Sequence, residues 1–140
     1  LNNNFIETTI RKTDQVLEIE GYRGEFTQVI LNLISNAKDI LLEKKIQNPH
    51  IDIDITNIDD EIIISLKDNG GGIPENIIRK IFEPYFTTKH QSQGTGLGLY
   101  MTHQIIINSM NGSLSVENTT FEYNNKIYNG AKFSIILDLA

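Results

Sequence analysis

Cysteine is absent from the 140 residues. That excludes a disulfide framework and any zinc site held by thiolates, and it fits a reducing compartment. Long apolar runs are missing too. The longest, such as Ile62-Ile63-Ile64, are far too short to span a bilayer. The N-terminus does not read as a signal peptide, so no direct membrane contact is expected of this stretch. Positive charge is in deficit, with a formal net charge of −6, and an acidic face repels the phosphate backbone of nucleic acids. A single nucleotide is not excluded, because backbone N–H groups and a metal can hold it. His50, His90 and His103 show no metal-ligand spacing. No serine, histidine and acid grouping suggests a nucleophilic triad. Internal repeats and low-complexity segments are also lacking.

What is present is an ordinary globular composition, 39% apolar, in a chain long enough to bury the core of one domain. Phe5–Ile10 and Val16–Glu20 read as short strands. From Glu25 to about Lys45 the spacing turns helical: Phe26, Ile30, Leu33, Ile34, Ala37 and Leu41 make one apolar stripe, ended by Asn48-Pro49. His50–Ile58 alternates as a half-buried strand, with Glu61–Lys67 as its hairpin partner across Asp59-Asp60. Pro74–Ile81 predicts a short helix, and Phe82–Gly94 a loop longer than a plain linker needs. Gly96–Met110 is helical again, capped by Asn111-Gly112. Ser113–Asn118, Phe121–Ile127 and Lys132–Leu139 read as a meander with turns at Asn124-Asn125 and Asn129-Gly130. About three helices and six or seven strands without regular βαβ alternation predict an α+β fold. It is a two-layer sandwich in which a mixed, mostly antiparallel sheet carries its helices on one face.

Three segments carry chemistry. On the long helix, Gln28, Asn32, Asn36, Asp39 and Glu43 form a polar stripe. An amide oxygen suits Mg²⁺, which takes few protein ligands beside phosphate oxygens and water. Asn36 is the metal candidate, and Asn32 could ligate or orient a water; a solvated helix face fits the same stripe. Asp68 heads Asp68-Asn69-Gly70-Gly71-Gly72-Ile73-Pro74. Its carboxylate can accept a hydrogen bond from an exocyclic amine such as that of adenine, while the glycines let the backbone approach a flat ring. A tight turn between strand and helix explains it equally. Gly94-Thr95-Gly96-Leu97-Gly98-Leu99 opens a helix, where unpaired N–H groups and the dipole favour phosphate. It lacks the Gly-Lys-Ser/Thr ending of a P-loop. Lys89, in Phe86-Thr87-Thr88-Lys89, is placed to reach a terminal phosphate, or is an ordinary loop lysine. Phe82, Tyr85 and Phe86 are expected to anchor this loop to the core.

The order of these segments resembles the catalytic ATP-binding domain of sensor histidine kinases. Gln28–Ala37 resembles the N box, Asp68–Ile73 the G1 box, Ile81–Phe86 the F box and Gly94–Leu99 the G2 box; the resemblance covers nearly the whole chain. It implies the Bergerat ATP-binding fold over 1–140, with adenine on Asp68 and Mg²⁺ on Asn36. The nucleotide would also touch Asn32, Asp39, Gly70, Gly72, Ile73, Thr88, Lys89 and the G2 residues Gly94, Thr95, Gly96, Leu97, Gly98 and Leu99. Residues from about 73 to 98 would form an ATP lid, and Asn32, Asn36 and Lys89 would serve catalysis. Three positions depart from the pattern. Asp39 stands where a basic residue is common, leaving Lys38 or Lys89 to substitute. Ala131 replaces a hydroxyl that often contacts adenine, and Leu137-Asp138 replaces the usual Leu-Pro. Hydrolytic relatives place a glutamate at Asn32; an asparagine cannot take the proton of an attacking water.

The resemblance therefore implies transfer of the ATP γ-phosphoryl group to a histidine on a dimerisation domain of the same protein, in a two-component system with a response regulator receiver domain as the next partner. None of the three histidines lies in an acceptor motif, and the chain opens on Leu1. The acceptor helices are expected upstream, in a cytoplasmic region of a protein whose membrane anchoring stays open. The alternatives are an ATPase or serine kinase of the same fold, or a non-catalytic nucleotide-binding docking module.

Overall fold

A computed structural model describes residues 5–86 and 98–140. The elements are β1 (Glu7–Lys12), α1 (Arg23–Glu43), β2 (His50–Ile58), β3 (Glu61–Asp68), α2 (Glu75–Ile78), α3 (Gly98–Gln104), β4 (Ser113–Tyr123) and β5 (Lys126–Asp138). The strands form one sheet in the order β1-β2-β3-β5-β4. β1 runs parallel to β2, and every other neighbouring pair is antiparallel. This is the expected α+β arrangement with a mixed, mostly antiparallel sheet.

One face of the sheet carries the core. Ile51 and Ile53 of β2, Ile62, Ile64 and Leu66 of β3, and Phe133, Ile135 and Leu137 of β5 are buried there. Val29, Leu33, Ala37 and Leu41 of α1 cover them, together with Ile106 and Met110 beyond α3. Those α1 residues recur every fourth position and so share one face of the helix. Burying one such side chain stabilises by about 2 kcal/mol, whereas a polar pair on a helix surface gives roughly 0.3 kcal/mol. The apolar stripe therefore fixes how α1 lies, and its polar stripe is carried to a definite place beside the sheet.

Several local expectations differ from the structure. Val16–Glu20 is not a strand: Leu17 and Ile19 rest on the core, and the Ala140 N–H donates to the Glu18 carbonyl at 2.8 Å. The expected three-strand meander is one long hairpin, so the sheet has five strands. Its turn is at Asn124-Asn125, both at positive φ (52° and 62°), as a tight hairpin turn requires. Asn129-Gly130 is no turn; it lies within β5, with Gly130 paired to Thr119. The helix after Pro74 spans only Glu75–Ile78. The last helix passes into a π-helical turn at Ile105–Ser109. Asn111, at φ 53°, ends it, and the Gly112 N–H donates to the Ile106 carbonyl at 2.8 Å, the expected cap. No described helix is long and apolar enough to cross a membrane.

The opposite face of the sheet is polar yet partly closed. Asp52 is 4% exposed there. Arg11 bonds to Asp52 and, through Nε at 2.8 Å, to Asp54, while Lys67 approaches Asp52 at 3.6 Å. Lys67 also lies over the Phe121 ring, 5.2 Å from its centroid. Paired charges can be buried where single ones cannot, and this ladder ties edge strand β1 to the centre of the sheet.

Candidate functional site

Asp68 ends β3 on the core side of the sheet, and its side chain is 2% exposed. Its Oδ1 accepts the Gly70 N–H at 2.8 Å and, more weakly, the Ala131 N–H at 3.5 Å. Oδ2 takes no hydrogen bond from any described residue. Burial pushes the carboxyl above its ordinary range, while the bonds from Gly70 and Ala131 and the charge of Lys44 pull it back. An acceptor held in a dry wall with one free oxygen suits a ligand N–H, since a good donor there recovers the desolvation cost of the carboxylate.

The glycines after Asp68 form a turn that other elements hold. Gly71 and Gly72 have φ of 92° and 85°, a region that side chains with a Cβ rarely adopt. The Gly71 N–H donates to the Asn129 carbonyl at 2.9 Å, and Lys44 Nζ donates to the Gly70 carbonyl at 2.8 Å. Ile73 is buried, and both its backbone groups bond to the Asn118 side chain. Against α1 the fit is close: a Cβ on Gly70 would stand 3.0 Å from Ile40 Cγ2 and from Asp68 Oδ1.

Ile40 lies one turn beyond Asn36, so the face of α1 that carries Asn36 is the face on which the glycine turn rests. Asn36 Nδ2 is buried and has no hydrogen-bond partner among the described residues. Amide oxygen and nitrogen are interchangeable by a flip, so this side chain is a polar group awaiting a partner. Asn32, one turn earlier, is engaged: Oδ1 accepts from Gln28 Nε2 at 2.9 Å, and Nδ2 donates to Thr102 Oγ1 at 3.1 Å and to the Gly98 carbonyl at 3.4 Å. Asn32 thereby joins α1 to the start of α3. Asp39 lies half-buried on α1, and Leu99 packs against the core.

The structure thus sets the Asp68 turn, through Gly70, against the α1 face that carries Asn36 and ties Asn32 of the same helix to Gly98, while Gly72 and Ile73 meet Asn118 of β4. Thr88, Lys89, Gly94, Thr95, Gly96 and Leu97 lie outside the described residues. Of the expected aromatic anchors, Phe82 stacks on His103 at 5.0 Å and meets Phe133 edge-on at 6.2 Å. Phe86 is half-buried, but Tyr85 is 74% exposed. A cavity of about 510 Å³ opens beside the turn, lined among others by Lys44, Gly72, Asn118 and Asn129. Neither Asp68 nor Asn36 lines it.

For a metal, the described residues contain no group of three His, Cys, Asp or Glu able to hold one. A divalent ion here would take the Asn36 amide as its protein ligand and complete its shell from phosphate oxygens and water. That fits magnesium and does not fit zinc or calcium. The sequence reading missed Asn118, Lys44 and Thr102. Thr102 had a faint signal in its four-residue spacing from Gly98; an asparagine in a strand and a lysine at a helix end had none.

Residues 21–140 match the family model described as histidine kinase-, DNA gyrase B-, and HSP90-like ATPase. Among curated proteins, the two-component sensor PprA of Pseudomonas aeruginosa is 35% identical over 84% of the chain. Sporulation kinase A of Bacillus subtilis is 40% identical over 77%. The chain spans only 13% and 16% of the lengths of these two relatives. Among solved structures, the nucleotide-free catalytic domain of histidine kinase ThkA superposes with a TM-score of 0.74 at 31% identity, covering 96% of this chain and 79% of that one. A structure of ThkA in complex with the response regulator protein TrrA superposes at 0.70 with 26% identity, covering 96% of this chain and 34% of that one.

Proposed function

Because the chain belongs to the histidine kinase-, DNA gyrase B- and HSP90-like ATPase family, and within it resembles sensor-kinase catalytic domains, we propose that it binds Mg-ATP and donates the γ-phosphoryl group to a histidine of a two-component phosphorelay. The observation that carries this reading is the Asp68 carboxylate, buried, fixed through Oδ1 and open at Oδ2. Oδ2 accepts the exocyclic amine of adenine. The Asn36 amide, on the α1 face against which the glycine turn rests, would offer its oxygen to a magnesium ion. The ion supplies charge neutralisation between the phosphates. The main-chain amides of Gly94–Leu99, with Thr88 and Lys89, receive the triphosphate, and the segment from about 73 to 98 acts as the lid.

In transfer, a neutral imidazole nitrogen of the acceptor attacks the γ-phosphorus. The bond to the bridging oxygen breaks and ADP leaves with that electron pair. This chain contributes position and electrostatics rather than a base. Asn32 cannot accept a proton, and its amide is engaged by Gln28, Thr102 and Gly98, so water is not activated at that side chain. The acceptor belongs to a histidine-containing dimerisation domain of the same protein, the phosphoryl group passes on to a response regulator receiver domain, and the site works in the cytoplasm, where ATP is supplied.

Titration calorimetry with Mg-ATP tests binding, with Asp68→Asn as the control. Incubation with γ-labelled ATP and a two-helix acceptor domain tests transfer. Binding by the wild type, loss in the variant and label on the acceptor histidine are expected. Brisk ATP hydrolysis by the isolated domain, or absent binding, overturns the reading; the latter favours a docking module.

A further inference from the structure

The glycine turn after Asp68 is held mainly from the β4–β5 hairpin, and one side chain does most of the holding. Asn118, on the core-facing side of β4, accepts the Ile73 N–H through Oδ1 at 2.7 Å and donates through Nδ2 to the Ile73 carbonyl at 2.7 Å. Its amide thus completes both hydrogen bonds of one residue, as a neighbouring strand would. A Cβ on Gly72 would stand 2.9 Å from Asn118 Oδ1, so the turn is fitted to this side chain. The neighbouring tie, from the Gly71 N–H to the Asn129 carbonyl, ends on the same hairpin.

Those ties bear on the carboxylate. The Gly70 N–H, which fixes Asp68 Oδ1, belongs to the turn that Asn118 pins three residues on. Where the turn sits decides which carboxylate oxygen is consumed internally and where the free one points. We propose that Asn118 is a positioning residue for nucleobase recognition: it holds the Gly70–Ile73 turn so that Asp68 Oδ2 meets a purine 6-amine. This rests on the nucleotide reading above. Asn118 touches neither base nor phosphate; it acts through Ile73, the turn and Asp68.

A purely structural asparagine would affect all nucleotides alike, whereas a positioning one affects those with a 6-amine. The test is the ratio of affinities for ATP and inosine triphosphate, which carries a 6-oxo group instead, measured by calorimetry with magnesium. Asn118→Asp is isosteric: it keeps an acceptor for the Ile73 N–H and loses the donor to the Ile73 carbonyl. Its added charge repels both nucleotides equally, so the ratio is unaffected by it. Asn118→Ser is the second variant, should the first fold poorly, and melting temperatures accompany both. With one or two hydrogen bonds lost, the preference of the wild type for ATP is expected to fall about tenfold, through weaker ATP binding and not through tighter binding of the analogue. Variants that keep the full ratio overturn the role of Asn118 while leaving the Asp68 assignment standing. A wild type that binds both nucleotides equally, or neither, overturns both.

Discussion

Gly130 lies flat against the backbone of Asp68: a Cβ built on Gly130 would stand 1.5 Å from the Asp68 carbonyl oxygen and 2.6 Å from its carbon. Both obstacles are main chain, so no rotamer change can clear them. Gly130→Ala forces β5 away from the end of β3 or displaces the turn that holds Asp68. The expected cost is about 3 kcal/mol, seen as a fall of roughly 10 °C in melting temperature, together with weakened nucleotide binding. A variant that melts with the wild type would show that this contact yields without strain.

Asp68 itself links recognition to pH. Burial raises its folded-state pKa above the unfolded value of 3.8, so the folded chain prefers the protonated acid. The stabilisation from this group is full below the unfolded pKa and is lost as pH rises through the folded one. Above the folded pKa the ionised carboxylate is therefore a cost to the fold. Asp68→Asn should raise the melting temperature, by a margin small below the unfolded pKa and largest once the pH has passed the folded one, while weakening ATP binding at least tenfold. Melts across that range read the first effect and calorimetry the second. A margin that shrinks as the pH rises would contradict the sign.

Periodicity made much of this architecture readable. Leu33, Ala37 and Leu41 announce the buried face of α1, the Ile51–Ile55 alternation announces β2, and Asn124-Asn125 announces the hairpin. What failed was tertiary. Asn129-Gly130 has the composition of a turn, yet its glycine is demanded by the Asp68 backbone from another strand. Val16–Glu20 alternates like a strand, yet both sheet edges are elsewhere, and Leu17 and Ile19 simply rest on the core. At the site, the motifs placed Asp68 and Asn36 on neighbouring elements, because boxes in a fixed order carry spatial information. The supports, Asn118 and Lys44, were invisible, since each acts on main-chain atoms whose position no local pattern encodes.

The N-terminus of α1 is incompletely capped. Tyr22 occupies the cap position with extended dihedrals (φ −96°, ψ 126°) but makes no side-chain cap bond, and its side chain is 74% exposed. Glu25, three residues on, has Oε1 buried with no hydrogen-bond partner among the described residues. Tyr22→Ser supplies the hydroxyl of a capping box, in which the serine accepts the Glu25 N–H and the Glu25 carboxylate reaches back to the N–H at position 22. The gain expected is about 1 kcal/mol, or roughly 3 °C in melting temperature. No gain, or a gain that survives Glu25→Ala in full, would show that the box does not form.

Asn32 is where the proposed transfer to a protein and the rival hydrolysis can be told apart. On the reading proposed above it stands where a general base would address an attacking water, and its amide donates to Thr102 Oγ1 and the Gly98 carbonyl. Asn32→Glu replaces that donor with a carboxylate that can still accept from the Thr102 hydroxyl but can now also take a proton. It loses the bond to Gly98, so the start of α3 should loosen and ATP affinity should drop modestly. Hydrolysis per bound ATP should nevertheless rise by about a hundredfold, the lower end of what a placed base contributes. Phosphate release under saturating Mg-ATP measures it. Asn32→Gln is the control that matches length without basicity, and it should leave hydrolysis slow. Equal rates in the two variants would mean that a missing proton acceptor is not what keeps this site from splitting water, and that the geometry of the phosphates must be the restraint instead.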